Sequence, residues 1–210
     1  MNLKIPGGFY IVIEGGDGCG KTTQCELLYN KLSKEYGITR IREPGGTPLG
    51  DKIRELLLNK QEEELSAITE LLLFSASRCH SIEKLVMPAL DRGEIVLSDR
   101  NYFSTLAYQG AGGEISAESI LAISKIATLG INPNLAFIID INAEEGLRRA
   151  RRDTGGDKIE SRDLKYHKRV REAYLQIASF KNCKLIDGSV GIENIHHEIY
   201  EIVKLLITPK

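Results

Sequence analysis

The chain has 210 residues, 27% of them charged, and a formal net charge of −1. That length favours one domain spanning 1–210, and the even charge balance gives no global basis for binding nucleic acid or a membrane surface. Cys19, Cys25, Cys79 and Cys183 are scattered without C-x-x-C spacing, which argues against a zinc site or a disulfide framework and fits a reducing cytoplasm. No apolar run reaches the roughly 20 residues of a membrane span, and the N-terminus lacks a basic region leading into an apolar signal core, so no targeting segment is expected.

In chain order, Met1 to Gly8 has no evident role, and Phe9-Tyr10-Ile11-Val12-Ile13 is a bulky, β-branched run suited to a buried parallel strand. Gly15-Gly16-Asp17-Gly18-Cys19-Gly20-Lys21-Thr22 follows it and opens a helical periodicity, which is the context the G-x-x-x-x-G-K-[ST] phosphate loop requires. Its glycines allow a tight turn with backbone N–H groups facing inward, Lys21 can reach the β- and γ-phosphates, and the Thr22 hydroxyl can ligate Mg²⁺. Cys25, Leu28, Tyr29 and Leu32 predict a first helix with Gly37 as its C-cap. Ile38 to Arg42 alternates like a strand and ends at the turn Glu43-Pro44-Gly45-Gly46-Thr47-Pro48, whose Pro44 peptide could be cis or trans.

A short helix is predicted over Leu49 to Leu58, and Glu62-Glu63-Glu64 reads as a solvated loop or helix start. Ser66 can cap a longer helix carrying Ile68, Leu71, Leu72 and Ser75, and Pro88 should interrupt or kink the helical stretch that follows. Glu94 to Arg100 is a short apolar strand ending in a carboxylate and a guanidinium, as expected of ligands at a strand's carboxyl end. Asp99 is therefore the expected partner of Thr22 at the metal. Leu106 to Gln109 suggests a brief helix, Ser116 to Leu129 a longer one, Leu135 to Asp140 a fourth strand and Ala143 to Arg152 another helix, with a mobile connection at 153–157. Beyond it come a helix containing Tyr174 and Ile177, a last strand over Cys183 to Ile186, and an amphipathic helix through Ile192, Ile195, Ile199, Ile202 and Leu206. Strands alternating with helices imply an α/β fold with a five-stranded parallel sheet flanked by helices and a crevice at the carboxyl ends of its strands.

Arg42, Arg78 and Arg100 are candidates for a second anionic ligand, since an acceptor that is already a phosphate wants guanidinium donors, whereas a bare hydroxyl would want a carboxylate base. Phe74 shares a helix face with Arg78, so the pair could stack on and hydrogen-bond a base. The run Leu147-Arg148-Arg149-Ala150-Arg151-Arg152 suggests a closing lid over about 148–160 whose arginines meet the charge of a transferred phosphoryl group. His80, His167, His196 and His197 have no accompanying carboxylate or cysteine pattern and read as structural or surface residues.

The phosphate loop, Arg42-Glu43-Pro44-Gly45-Gly46-Thr47, Phe74-Ser75-Ala76-Ser77-Arg78, Asp99-Arg100 and Ala107-Tyr108-Gln109-Gly110, in that order, resemble the thymidylate kinases of bacteria over nearly the whole chain. The resemblance implies the P-loop NTPase fold and transfer of the ATP γ-phosphoryl group to dTMP, giving dTDP on the way to dTTP, with Mg²⁺ and a homodimer. By position, Phe74 looks like the residue stacking on thymine and Arg78 like the one bonding its exocyclic oxygen. Arg42 and Arg100 look like the clamp on the dTMP phosphate. Thr105 falls near the base, Tyr108 under the deoxyribose, and Asp17 at the acceptor end of the phosphate loop. The loop carries no arginine at its variable positions while the lid is arginine-rich, which resembles the type in which the lid supplies the catalytic arginine. Spacing to Ile159-Glu160 points to Arg149 and Arg151.

Two other readings remain open at this level. A deoxynucleoside kinase of the same architecture would take an uncharged acceptor, against which the clamp arginines count. A GTP-switch module would need an N-K-x-D motif, which the sequence lacks, and Asp153-Thr154-Gly155-Gly156 follows an arginine-rich helix where a switch would need a strand.

Overall fold

A computed structural model of the chain describes residues 3–59, 64–154 and 158–208, the side chains of 153 and 154 excepted. Five strands, β1 (Phe9–Gly15), β2 (Ile38–Arg42), β3 (Ile95–Asp99), β4 (Leu135–Asp140) and β5 (Cys183–Asp187), pair in the order β2-β3-β1-β4-β5, every pair parallel. The helices are α1 (Lys21–Leu32), α2 (Pro48–Leu58), α3 (Ala67–Ser81), α4 (Met87–Asp91), α5 (Tyr102–Thr105), α6 (Ala117–Ala127), α7 (Ala143–Thr154), α8 (Leu164–Ile177) and α9 (Ile192–Ile207).

Side-chain alternation along a strand sends Tyr10 and Val12 to one face of the sheet and Ile11 and Ile13 to the other. The first pair packs with Leu71, Phe103, Ile120 and Val170, and the second with Cys25, Leu28, Ile195 and Ile199. With both faces covered, β1 has no solvent side, which is why its sequence runs apolar without polar alternation. Each fully buried Ile or Val contributes about 1.5–3 kcal/mol, so a register slip in β1 would forfeit several such contributions on each face.

Most predicted elements appear close to their expected bounds, and the exceptions have local causes. Gly37 is not the cap of α1. That helix closes at Ser33, and Gly37 instead accepts the Ile95 amide hydrogen bond at the head of β2. Pro88 does interrupt the α ladder: residues Ile82–Val86 widen into a π turn, and α4 begins with the proline in its first turn, where a missing N–H costs no helical bond. The brief helix expected at Leu106 to Gln109 is longer, since α5 runs into a second π stretch, Leu106–Gly112. In α9 the buried stripe is Ile195, Ile199, Val203 and Ile207, while Ile192 and Leu206 are exposed. On α3, Ile68 and Leu72 face outward.

The described part of the N-terminal extension is tied down at the amino ends of the strands. The Leu3 amide donates to the Glu35 carbonyl at 2.7 Å and the Ile5 amide to the Gly93 carbonyl at 2.9 Å. Glu62, Glu63 and the connection at 155–157 lie outside the described residues.

Candidate functional site

The carboxyl ends of β1, β2 and β3 open into a cleft of about 1380 Å³, larger than the roughly 300–1,000 Å³ that holds one small molecule. One end is lined by Gly18 to Gln24 together with Gly188, Val190, Gly191 and Ile192, the other by Arg42, Phe74, Arg78, Thr105, Tyr108 and Gln109. Asp17 and Arg100 lie on the same wall.

At the first end, α1 begins at Gly20, which has φ of 96° and offers no side-chain cap, so the first amides of the helix are left for a ligand. Lys21 is buried and its Nζ donates to the Gly16 carbonyl at 2.7 Å, arching back over the loop. Thr22 Oγ1 donates to Asp99 Oδ2 at 2.7 Å, so residues 77 positions apart form the hydroxyl and carboxylate pair expected from the sequence. Two hard oxygen donors beside a phosphate loop suit Mg²⁺, which is commonly held by one or two carboxylates together with substrate phosphates. Among the described residues no cluster of three or more His, Cys, Asp or Glu could hold a metal alone.

At the other end, Glu43 closes β2 and leads through a cis Glu43-Pro44 peptide into the Gly45-Gly46-Thr47 turn. This turn is fixed on α3 by a bond from the Gly45 amide to Ser77 Oγ at 3.1 Å and one from Ser81 Oγ to the Gly45 carbonyl at 2.9 Å. Arg78 is not a surface arginine. It is 2% exposed, its Nε donates to Glu43 Oε2 at 2.7 Å and its Nη2 to Thr105 Oγ1 at 3.0 Å, while Nη1 has no protein partner. Burial pushes the Glu43 carboxyl above its ordinary range and the Arg78 guanidinium offsets only part of that rise. Phe74 is half-buried one turn before Arg78 on the same helix face. Arg42 is exposed at the end of β2, in register with Asp99.

Arg100 joins the two ends. Its backbone has φ of 77°, uncommon for a residue with a side chain. Its Nη2 meets Asp17 Oδ1 at 2.6 Å and the Tyr108 hydroxyl at 3.5 Å, and its Nη1 donates to the Gly15 carbonyl at 3.3 Å and Ser104 Oγ at 3.1 Å. Burial works to raise the Asp17 carboxyl, but Arg100, Lys21, the Tyr108 hydroxyl and His167 together hold it below its usual value.

Arg148, Arg149 and Arg152 line the cleft from α7. Arg148 and Arg149 both bind Glu145 at 2.7 Å, and those bonds draw the Glu145 carboxyl down to about 2. Arg151, the other arginine expected from spacing, is exposed, donates to the Glu160 carbonyl at 3.1 Å and is not among the residues lining the cleft.

Several residues of the site were not anticipated. Glu14, fully buried at the end of β1, accepts from the Asn101 amide at 2.7 Å, the Ser104 hydroxyl at 2.6 Å and the Tyr174 hydroxyl at 2.8 Å. Gln109 is buried on the cleft wall with Nε2 unpartnered; its place in Ala107-Tyr108-Gln109-Gly110 was the available signal. Glu70, buried on α3, receives Lys158 at 3.1 Å and Arg162 at 2.9 Å and so ties the segment before α8 to the helix carrying Phe74 and Arg78. Of the two places expected for it, structural or surface, His167 takes the structural one: it is buried, with Nδ1 3.8 Å from Asp17 Oδ2.

Comparison with known proteins follows the same lines. The profile of the family described as thymidylate kinase matches residues 13–199. A thymidylate kinase of Sulfurihydrogenibium is 44% identical over 201 residues, covering 94% of this chain and 97% of its own. One of Halothermothrix orenii is 40% identical with the same coverage. The crystal structure of thymidylate kinase from Ehrlichia chaffeensis superposes with a TM-score of 0.79 at 31% identity, covering 94% of this chain and 100% of that one.

Proposed function

The chain belongs to the thymidylate kinase family, and we propose that its cleft holds ATP and dTMP end to end, with phosphoryl transfer between Lys21 and Arg100. The enzyme phosphorylates dTMP to dTDP with the γ-phosphoryl group of ATP. The observation that best supports the division of the site is that one continuous cleft has a phosphate loop at one end and the Phe74, Arg78 and Tyr108 wall at the other.

The donor phosphates rest on the amides of Gly15 to Thr22, with Lys21 at the β- and γ-phosphates. Thymine stacks on Phe74 and accepts a hydrogen bond from Arg78 Nη1, beside Thr105 and the free amide of Gln109. Tyr108 lies against the deoxyribose, where its ring would crowd a 2′-hydroxyl. Arg42 and Arg100 hold the acceptor phosphate, with Asp17 orienting Arg100. That phosphate already carries a nucleophilic oxygen, so no general base is required. Its oxygen bonds the γ-phosphorus as the bond to the bridging oxygen breaks and ADP leaves, and the chain contributes position and charge. Thr22 and Asp99 would hold Mg²⁺, which when bound offsets the charge on the β- and γ-phosphate oxygens.

The segment about 148–160 acts as the lid, and Arg149 is the arginine best disposed to reach the transferred group, given its place on the cleft wall. The whole chain acts as one domain, in the cytoplasm. Among the described residues no helix is long and apolar enough to cross a membrane. A homodimer is supported by the exposed apolar residues of three adjacent helices, Leu49 and Leu56 on α2, Ile68 and Leu72 on α3, and Leu121 and Ile126 on α6. A coupled assay of ATP against dTMP, thymidine, dUMP, dCMP and GMP tests the reading. Turnover with dTMP and none with thymidine is expected, and phosphorylation of thymidine but not dTMP would refute it.

A further inference from the structure

Asp17 is engaged on one side only. Its Oδ1 takes the Arg100 guanidinium, while Oδ2 is buried and has no hydrogen-bond partner. His167, on α8 behind the phosphate loop, points its Nδ1 at that oxygen from 3.8 Å, and its Nε2 is also buried without a partner. The separation is too long for a direct hydrogen bond. Between the loop and α8 lies a space of about 20 Å³ whose polar lining is Asp17, Asp140, His167, Arg171 and Tyr174, the rest being Gly16 and apolar side chains. That is room for one water, which needs roughly 10–15 Å³ and two to four polar partners.

We propose that His167 is a positioning residue for the acceptor end of the site, holding Asp17 Oδ2 through one buried water so that Oδ1 stays on Arg100. The proposal rests on the reading that Asp17 and Arg100 serve the dTMP phosphate. A carboxylate bound at one oxygen can swing about its terminal torsion and carry its arginine with it, whereas donors at both oxygens fix the plane. Burial pushes the imidazole pKa down, outweighing the upward pulls of Asp17 and of the Ile159 backbone bond, and Arg151 and Arg162 press it lower still. A neutral ring offers one N–H to the carboxylate side. Of the other charged groups in this region, Arg171 is taken by Asp140 at 2.8 Å and Lys21 by the Gly16 carbonyl, so neither competes for Oδ2.

The test is a double-mutant cycle on the full chain with KM for dTMP and for ATP as separate readouts. His167→Leu, which removes the donor but keeps bulk, is expected to raise KM for dTMP about five- to tenfold, the scale of one neutral hydrogen bond, and to leave KM for ATP unchanged. His167→Gln, which keeps an N–H, should recover most of the loss. In an Asp17→Asn background His167→Leu should add nothing further. If Asp17→Asn raises KM for dTMP and His167→Leu still adds its full effect, the proposal alone falls. If Asp17→Asn leaves KM for dTMP unchanged, the placing of Asp17 at the acceptor falls and takes the proposal with it. Should a His167 variant fail to fold, the imidazole can be titrated by NMR in the parent protein and in Asp17→Asn. A lower His167 pKa in the variant is expected, and an unchanged value overturns the proposal.

Discussion

Replacing Arg78 by methionine removes the guanidinium while keeping most of the side chain's length and apolar stem. Glu43 loses its 2.7 Å partner, Thr105 loses a 3.0 Å donor, and the buried Nη1, proposed above to meet the base, is removed. Breaking a buried ion pair by removing one member costs about 3–5 kcal/mol, and for a chain of this size each kcal/mol lowers Tm by about 2–4 °C. The expected loss is therefore about 6–20 °C, and the ~3–5 kcal/mol behind it does not exceed the roughly 5–15 kcal/mol of a typical domain. The pH dependence separates this cause from simple loss of packing. A carboxyl whose folded pKa is raised contributes stability that is fully present below its unfolded value, about 4.3, and is lost as pH rises through the folded value. Burial already raises the Glu43 carboxyl with Arg78 restraining it, so without Arg78 the folded value climbs further and the loss on raising pH deepens. Urea denaturation of parent and variant between about pH 4.5 and about pH 8 should show a gap that widens with pH. A gap constant across that window would refute the assignment of Arg78 as the charge that restrains the rise of the Glu43 pKa. In turnover, the same variant should lose roughly 10- to 150-fold in kcat/KM for dTMP, the equivalent of a charge-assisted hydrogen bond.

Phe74→Ala should raise KM for dTMP roughly 5- to 150-fold, following the ~1–3 kcal/mol of base stacking, and leave KM for ATP nearly unchanged; equal effects on both would remove Phe74 from the base site. Arg149→Ala should lower kcat by about 10²-fold or more and Arg151→Ala by much less, because the latter side chain is held by the Glu160 carbonyl off the cleft wall. Equal losses in the two variants would show that the lid rearranges before transfer. Chelation of divalent ions should abolish turnover and added Mg²⁺ restore it, with Asp99→Asn needing a higher Mg²⁺ concentration for half-maximal rate. An unaltered Mg²⁺ dependence in that variant would remove Asp99 from the metal site.

The parts of the site carried by local sequence were legible. Strand, glycine turn and helix are contiguous from Phe9 to Leu32, and Asp99 closes a second apolar run, so the Thr22 and Asp99 pairing could be inferred from two short stretches. Arg78 could be placed beside a base but not seen as buried, because its counter-charge sits 35 residues earlier in a turn whose fold on α3 depends on Ser77 and Ser81. Glu14 was invisible for a similar reason. A glutamate ending an apolar strand reads as a solvent-facing terminus, and the partners that hold it inward, Asn101, Ser104 and Tyr174, lie 87 to 160 residues away. Nothing around His167 in sequence pointed to Asp17, which belongs to the phosphate loop 150 residues earlier. The helix registers that differed, at α3 and α9, involve apolar residues on both flanks of the buried stripe, where spacing alone leaves more than one face available.

Glu14 also accounts for how Arg100 is held. Holding Arg100 at φ of 77° costs on the order of 1–3 kcal/mol, and such a conformation persists only where the surroundings over-determine it. Here the segment after Arg100 is bound by its amides, at Asn101 and Ser104, to a single carboxylate oxygen of a residue on the central strand. The other oxygen takes the Ser104 and Tyr174 hydroxyls. The guanidinium then reaches back to Gly15 and Asp17, the same loop that Lys21 spans. The loop meets the lid helix too, because Gly18 and Gly146 approach so closely that a Cβ on Gly18 would strike the Gly146 carbonyl, and one on Gly146 the Asp17 carbonyl. The phosphate loop, Arg100 and the first turn of α7 thus meet at the four residues Gly15 to Gly18. An interior packed this closely transmits a shift of any one to the other two, so the sheet that carries β1 and β3 fixes how Lys21 and Arg100 stand relative to each other.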